Sequence, residues 1–359
     1  MSNAYKKCMV YLILTSILFI INGCSNSNDK FSQGIKDQTF SSYQQMVVQW
    51  YPKSITQLMS DDKDHVITYN KEPQRIVAVW QNSIETLLAL GVGDSIIAAI
   101  GVPDSLYISP EYQVAYEKIP YKSMQMPDKE SLLYNEPDFI LGWKSTFSKN
   151  VFGSTDFWQN RGINTYIARS SSSGSRQKGE FLAEEYKYIQ DIGIIVNREE
   201  RANNLVKQIQ NQIAYGKRKG LEQGEQPSVL ILEILGKELR LYNEMTLAGN
   251  IVEEVGGNLL LPNSINVSYE ELLTLNPDVL FVVIVESNYG MENQILNKIY
   301  NNPALQSLKV VKNRSIKALP LYAIYSPGIR VKDGVEIIVE GLYPQISKEA
   351  LHERMDTKN

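Results

Sequence analysis

The chain has 359 residues, 21% of them charged and 43% apolar, a balance that suits about two globular domains. Its net charge of −4 and the absence of any basic tract argue against nucleic acid as a partner and against strong electrostatic adhesion to a membrane.

At the N-terminus, Lys6 and Lys7 precede an apolar run over residues 8–21 that ends in Ile21-Asn22-Gly23-Cys24. A basic start, a short apolar segment and a small residue before the cut predict a signal peptide over residues 1–23. The run is short for a spanning helix, which needs roughly 20 apolar residues. Cys24 directly after the small residue resembles a bacterial lipobox, which implies a diacylglyceryl thioether on Cys24 and an extracytoplasmic body, lipid-anchored to the bacterial cell membrane. An uncleaved anchor is the alternative. The other cysteine, Cys8, lies in the leader, so the mature chain is expected to hold no disulfide, thiol nucleophile or thiolate metal site. Residues 24–66 read as a lipid-anchored tether and N-terminal extension, whose aromatics (Phe40, Tyr43, Trp50, Tyr51) follow no readable period.

From Arg75 the pattern sharpens. Ile76-Val77-Ala78-Val79 predicts a parallel strand buried on both faces; Ile84, Leu87, Leu88 and Leu90 follow helical spacing; Gly91 and Gly93 supply a left-handed stop. A second strand is predicted over residues 95–100, a helix over 129–135, a strand over 139–143, a helix over 157–161 and a strand over 164–168. The serine-rich stretch 170–179 reads as a surface loop. Asn197-Arg198-Glu199-Glu200 has the form of a capping box, and Ala202, Leu205, Val206, Ile209 and Ile213 then form one apolar stripe of a long helix reaching Gly220. Afterwards the first pattern returns, with strands at 228–232 and 277–283 and helices at 246–255 and 270–275.

The two halves echo each other. "DKESLLYNEPDFILGW" (128–143) and "SYEELLTLNPDVLFVV" (268–283) both run from an acidic residue through Leu-Leu and Pro-Asp into a buried strand. With "RIVAVWQNSIETLLALGVGD" and "NPALQSLKVVKNRSI", they resemble the helical-backbone class of ABC-transporter substrate-binding proteins, which carry ferric siderophores, haem or cobalamin; the resemblance spans roughly residues 66–344. It implies an α/β fold of two Rossmann-like lobes joined by a single long α-helix, with the ligand cleft between the lobes. The expected division is an N-terminal α/β lobe over residues 67–196, a linker helix over 197–220, a C-terminal α/β lobe over 221–345 and a polar tail over 346–359. It also implies a permease and its ATPase as partners, a bulky iron chelate as ligand, no nucleic acid, membrane contact through the lipid anchor alone, and a monomer.

Open α/β sheets bind ligands at the carboxyl ends of their strands. The strand ends expected to face the cleft are Trp80, Gln81, Asn82, Trp143 and Lys144 in the first lobe, joined by Met124 and Gln125 in the loop before Pro127. In the second they are Tyr242, Glu244, Tyr289, Tyr322, Tyr325 and Arg330, with Asn243, Met245 and residues 286–288 beside them at the same strand ends. Each alone is equally compatible with a packed aromatic or a locally paired cation. As a set, aromatics with a few cations suit a flat, oxygen-rich, anionic chelate. Glu130 and Glu270 match the carboxylates that family members present to permease arginines, with Glu271 as the alternative in the second lobe; otherwise each simply favours its helix dipole.

Only His65 and His352 exist, which excludes a histidine-rich zinc or manganese site and disfavours haem, although Met124, Met126 or a tyrosine remains a possible haem-iron ligand. No catalytic residues, cofactor or resident metal are expected. No Gly-x-Ser-x-Gly elbow or phosphate loop occurs, so an enzyme reading rests on a carboxylate pair such as Glu244 and Glu286. A cobalamin or haem receptor of the same fold is the closer alternative.

Overall fold

The computed structural model describes residues 51–345, apart from 173–176, 225, 237, 263 and 265 and the side chain of residue 223. The leader, Cys24 and His352 lie outside the described residues, and among those described no helix is long and apolar enough to cross a membrane. The first element is an antiparallel hairpin, β1 (Lys53–Leu58) and β2 (Asp64–Tyr69), whose alternating burial places Ile55 and Gln57 inward. The sequence pattern had offered no element here.

Continuous apolar runs then build a parallel sheet from β3 (Ile76–Val79), β4 (Ile96–Ile100), β5 (Tyr121–Ser123), β6 (Phe139–Gly142) and β7 (Asn164–Ile167). Its order is β5-β4-β3-β6-β7, the doubly wound arrangement, with the reversal of strand order between β3 and β6. The intervening helices are α1 (Gln81–Ala89), α2 (Pro110–Glu117), α3 (Lys129–Tyr134) and α4 (Thr155–Gln159). Two helices follow, α5 (Phe181–Ile195) and α6 (Glu199–Gln223), the second being the long helix expected from the apolar stripe. The second sheet comprises β8 (Ser228–Leu235), β9 (Glu238–Leu241), β10 (Asn258–Leu259), β11 (Asn266–Val267), β12 (Val279–Ile284) and β13 (Ile316–Pro320). It runs β11-β9-β8-β12-β13, parallel from β8 to β13 and antiparallel on the β9 side, and β10 also pairs with β8. Its helices are α7 (Leu247–Glu254), α8 (Tyr269–Leu275), α9 (Glu292–Tyr300), α10 (Lys309–Lys312) and α11 (Val331–Leu342).

The sequence echo has a structural cause. In the first sheet the Asp138 carboxylate accepts the backbone N–H groups of Gln74 and Arg75 at 2.9–3.1 Å, tying the start of β6 to the start of β3. In the second sheet Asp278 accepts from the Ser228 N–H at 3.0 Å and hydroxyl at 2.6 Å, tying β12 to β8. The proline-aspartate pair is a strand clasp used twice.

Two expectations fail. Gly91, at φ +75°, supplies the left-handed stop alone, since Gly93 instead opens a short 3-10 turn. Asn197 does not cap α6: its φ is +57°, the cap position is Arg198 without a side-chain bond, and the Asn197 Oδ1 accepts instead from Lys53 Nζ at 2.8 Å. Lys53 also pairs with Glu199, so the hairpin takes the Asn197 side chain that a capping box would have used.

The packing joins the halves. A single apolar core contains Ile76, Leu87 and Phe139 of the first sheet and its helices, Ile192 and Ile209 of α5 and α6, and Val229, Ile251, Phe281 and Ile338 of the second half. Smaller cores cover the outer sheet faces, around Trp158 and Phe152 on one side and Leu280 and Leu305 on the other. A chamber bordered by both halves is thus held by a continuous apolar layer beneath it.

Candidate functional site

The chamber lies above the strand-order reversal. Trp80 follows directly on β3 and Trp143 on β6, and the two indoles stack there with centroids 5.1 Å apart at an interplanar angle of 28°. Trp80 has φ +72°, an unusual backbone state for a bulky residue and a cost of roughly 1–3 kcal/mol. Its N–H donates to the Ile100 carbonyl at 2.8 Å, and its ring lies over Gly101, where a Cβ would approach the ring to 2.6 Å. Gly101 is therefore glycine both for its φ of +87° and for the close approach of the indole. The Trp143 Nε1–H donates to Asn82 Oδ1 at 2.8 Å, which fixes the amide orientation. The buried donors Trp80 Nε1 and Asn82 Nδ2 find no acceptor among the described residues.

The second half closes over this wall. Tyr325 meets Trp143 edge-on at 5.5 Å, and the Ser326 hydroxyl accepts from the Ser170 hydroxyl at 2.9 Å. On another side Tyr107 meets Tyr289 at 5.7 Å, and Tyr289 meets Tyr322 at 5.6 Å. Two aromatic chains thus cross from one half to the other. Gly328, at φ +55°, packs so closely on α1 that a Cβ would lie 2.6 Å from Thr86 Oγ1. Its N–H donates to Glu185 Oε2 at 2.9 Å, and the Ile329 N–H donates to Thr86 Oγ1 at 3.3 Å.

Arg330 completes the closure. Its Nη1 donates to Glu85 Oε1 at 2.8 Å, its Nε pairs with Asp333, and its guanidinium lies 4.0 Å from the Tyr322 centroid. Glu85 is fully buried and also accepts from the Ser109 N–H at 2.6 Å and Gln81 Nε2 at 3.0 Å. Burial pushes the Glu85 carboxyl above its ordinary value despite the opposing guanidinium. Burial also disfavours the charge on Arg330, but Glu85 and Asp333 outweigh it and its pKa is raised.

These contacts enclose a cavity of about 490 Å³, within the size range of small-molecule sites. Of the expected residues, Trp80, Gln81, Asn82, Met124, Trp143, Tyr322, Tyr325 and Arg330 line it. A second chamber of about 580 Å³ shares Tyr325 and Ser326 with the first and is lined by Tyr242, Glu233, Arg240 and Glu185 among others.

The structure does not bring the remaining candidates to the main chamber. Lys144 is bound to the hairpin, its Nζ donating to the Ser60 carbonyl at 2.8 Å and Asp62 at 2.6 Å. Gln125 folds back on Ser123 through its main chain. Glu244 is half-buried and lines neither chamber, while Glu286 lines the main one, so that carboxylate pair is not assembled in one cavity. Tyr242 belongs to the second chamber, and Tyr289 stands between Tyr107 and Tyr322. His65 is exposed on β2 beside Asp61.

Gly101, Val102, Pro103, Tyr107, Ser326 and Pro327 line the chamber although they were not among the expected ligand-binding residues, whereas Glu286 and Ser287 line it from the expected strand end after β12. The first three follow directly on β4, so the strand-end rule applied to that predicted strand would have reached them. Nothing in the local pattern marks Tyr107.

Glu130 and Glu270 occupy equivalent places. Asp128 caps α3 by accepting from the Ser131 N–H at 2.7 Å, and the Ser268 hydroxyl caps α8 by accepting from the Glu271 N–H at 3.1 Å. Each glutamate is the second helical residue and is exposed, whereas Glu271 is half-buried.

Comparison with known proteins gives three findings. The family model described as periplasmic binding protein matches residues 76–323. The chain is 22% identical to YvrC of Bacillus subtilis (strain 168), an uncharacterized ABC transporter substrate-binding lipoprotein, over 96% of this chain and 99% of that one. Among solved structures it is similar to a periplasmic binding protein from Veillonella parvula DSM 2008, with 40% identity, a TM-score of 0.78 and coverage of 82% of this chain and 92% of that chain. A structure described as an ABC-type Fe3+-hydroxamate transport system from Saccharomonospora viridis DSM 43017 shares the fold at 23% identity and a TM-score of 0.63, covering 82% and 99%.

Proposed function

Since this chain belongs to the periplasmic binding protein family, we propose that it is the extracytoplasmic, lipid-anchored substrate-binding component of an ABC importer, capturing an iron chelate of the ferric siderophore type and handing it to a permease driven by its ATPase. The observation that carries this reading is the aromatic chamber at the strand ends, walled by Trp80 and Trp143 and closed by Tyr325 and Tyr322. Aromatic faces and a few polar groups hold a bulky chelate by contact area rather than by chemistry at one atom. The lipobox around Cys24 supports anchoring. The paired surface glutamates, Glu130 and Glu270, support docking through one carboxylate from each half.

A titration tests the ligand reading. Trp80 and Trp143 report directly on the chamber, so ferric hydroxamates, ferric catecholates, ferric citrate, haem and cobalamin are each added to the purified protein while intrinsic fluorescence is followed. At least one of the ferric chelates is expected to quench it saturably. Quenching by haem or cobalamin alone would favour the sister reading of the same fold, and no quenching by any would overturn the receptor reading.

A further inference from the structure

Resting on the receptor reading above, we infer that the chamber selects against anionic ligands and takes a neutral or cationic chelate. The inference comes from the charges that reach the cavity and from what each is already doing. A ferric tris-catecholate carries three negative charges and would have to leave water for this wall; an anion so placed needs cations or many donors in return. Arg330 is the only cation among the described residues that line the main chamber. It is 7% exposed, bonded to Glu85 and Asp333, and covered by the Tyr322 ring. Two carboxylates already answer its one positive charge. Lys144, expected to be the second cation, is spent on Asp62 and the Ser60 carbonyl and does not line the chamber.

The charge left over is negative. Glu286 lines the main chamber, is exposed at its edge and has no ion-pair partner among the described residues. Among the described residues, the second chamber adds no free cation to the main one: Arg240 lines it together with Glu233, which accepts from the Tyr242 hydroxyl at 3.0 Å, and Glu185, which accepts from the Gly328 N–H at 2.9 Å. The remaining wall is aromatic rings, Gly101, Val102, Met124, two prolines, hydroxyls, and the amides of Gln81 and Asn82. Such a wall meets neutral carbonyl-rich or hydroxamate-like surfaces, and its rings favour a ligand cation over an anion.

The test compares two ferric complexes of similar bulk and different charge, a neutral tris-hydroxamate and a trianionic tris-catecholate, by tryptophan quenching. Wild-type protein is expected to bind the neutral complex at least about tenfold more tightly, with the gap narrowing as salt screens Glu286. Glu286→Gln, at an exposed position that does not threaten folding, is expected to shift the affinity ratio toward the anionic complex by about two- to fivefold, and Glu286→Lys further. Equal or tighter binding of the tris-catecholate by the wild type would overturn the charge inference while leaving the receptor reading intact. An affinity ratio that does not respond to Glu286 would overturn it too. Failure of both complexes, of cyanocobalamin and of haem to quench would remove the receptor reading itself, and this inference with it.

Discussion

Arg330 shows how a residue type can be correct for a site and its role different from the expected one. Its place near the Ser326-Pro327 turn was legible from the sequence as a candidate beside the cleft. Its partner was not, because Glu85 lies 245 residues away in a helix whose buried face reads as ordinary periodicity. Removing one member of a buried pair strands the other, at a cost of about 3–5 kcal/mol. Arg330→Met is therefore expected to lower stability by about that amount in chemical denaturation. The loss has a pH signature. With Arg330 gone, Glu85 keeps the burial that raises it and loses its strongest opposing influence. A carboxyl whose folded pKa lies above the unfolded 4.5 binds its proton more tightly when folded. Stability then falls as pH rises above the unfolded value and through the folded one. The variant should lose less relative to wild type near pH 5 than near pH 8, and Glu85→Gln combined with Arg330→Met should remove that difference. A loss independent of pH would mean that Glu85 is solvated in the variant. The tryptophan wall, by contrast, was readable from sequence, since Trp80 and Trp143 end predicted strands and strand ends are where α/β sheets meet ligands.

Among elements, those built on continuous apolar runs or clear stops were legible to within a few residues: β3, α1, β6, β12 and α8 lie where the pattern placed them. The hairpin β1–β2 was not, because its inward residues include Gln57 and Lys53 as well as Ile55. Buried Gln57 donates to the Thr165 carbonyl at 2.5 Å and accepts from the Tyr69 hydroxyl at 2.6 Å, a polar anchor that no hydrophobic template detects. Helix α11 was missed for the opposite reason, being apolar on its packed face but interrupted by Gly334 and Gly341. Both glycines allow close packing, against the Ala323 carbonyl and the Phe281 ring. The repeated capping of α3 and α8 leads to a functional test. Glutamates at the second helical position of both are exposed, as the proposed docking role requires. Charge reversal, Glu130→Arg with Glu270→Arg, is expected to abolish uptake in cells while leaving chelate affinity of the purified protein within about twofold, since neither glutamate lines a chamber and exposed charges are screened. Preserved uptake would remove the docking role, and a large fall in affinity would relocate the effect to the binding site.

At the scale of the whole molecule, the sequence suggested two lobes on one rigid connector, and the two sheets are there. What the pattern could not convey is that α1, α5, α6, α7 and α11 bury their apolar faces in one common core with residues from both sheets. Periodicity reports that a face is buried, not what buries it. The shared core makes separate unfolding of the halves costly, because parting them would open the common apolar core and break the Glu85–Arg330 pair that spans them. Chains of this length often unfold in stages, so cooperativity here is a consequence to be measured rather than assumed. The tryptophans make the measurement direct. The described ones, Trp80, Trp143 and Trp158, all belong to the first half, the last of them in α4, whereas far-UV circular dichroism reports helices of both halves. In a guanidinium titration the two signals are expected to share one midpoint. Were the halves independent, fluorescence would follow the first alone and the midpoints would separate. Arg330→Met should shift both curves together, since the pair it breaks belongs to neither half but to the surface on which they meet.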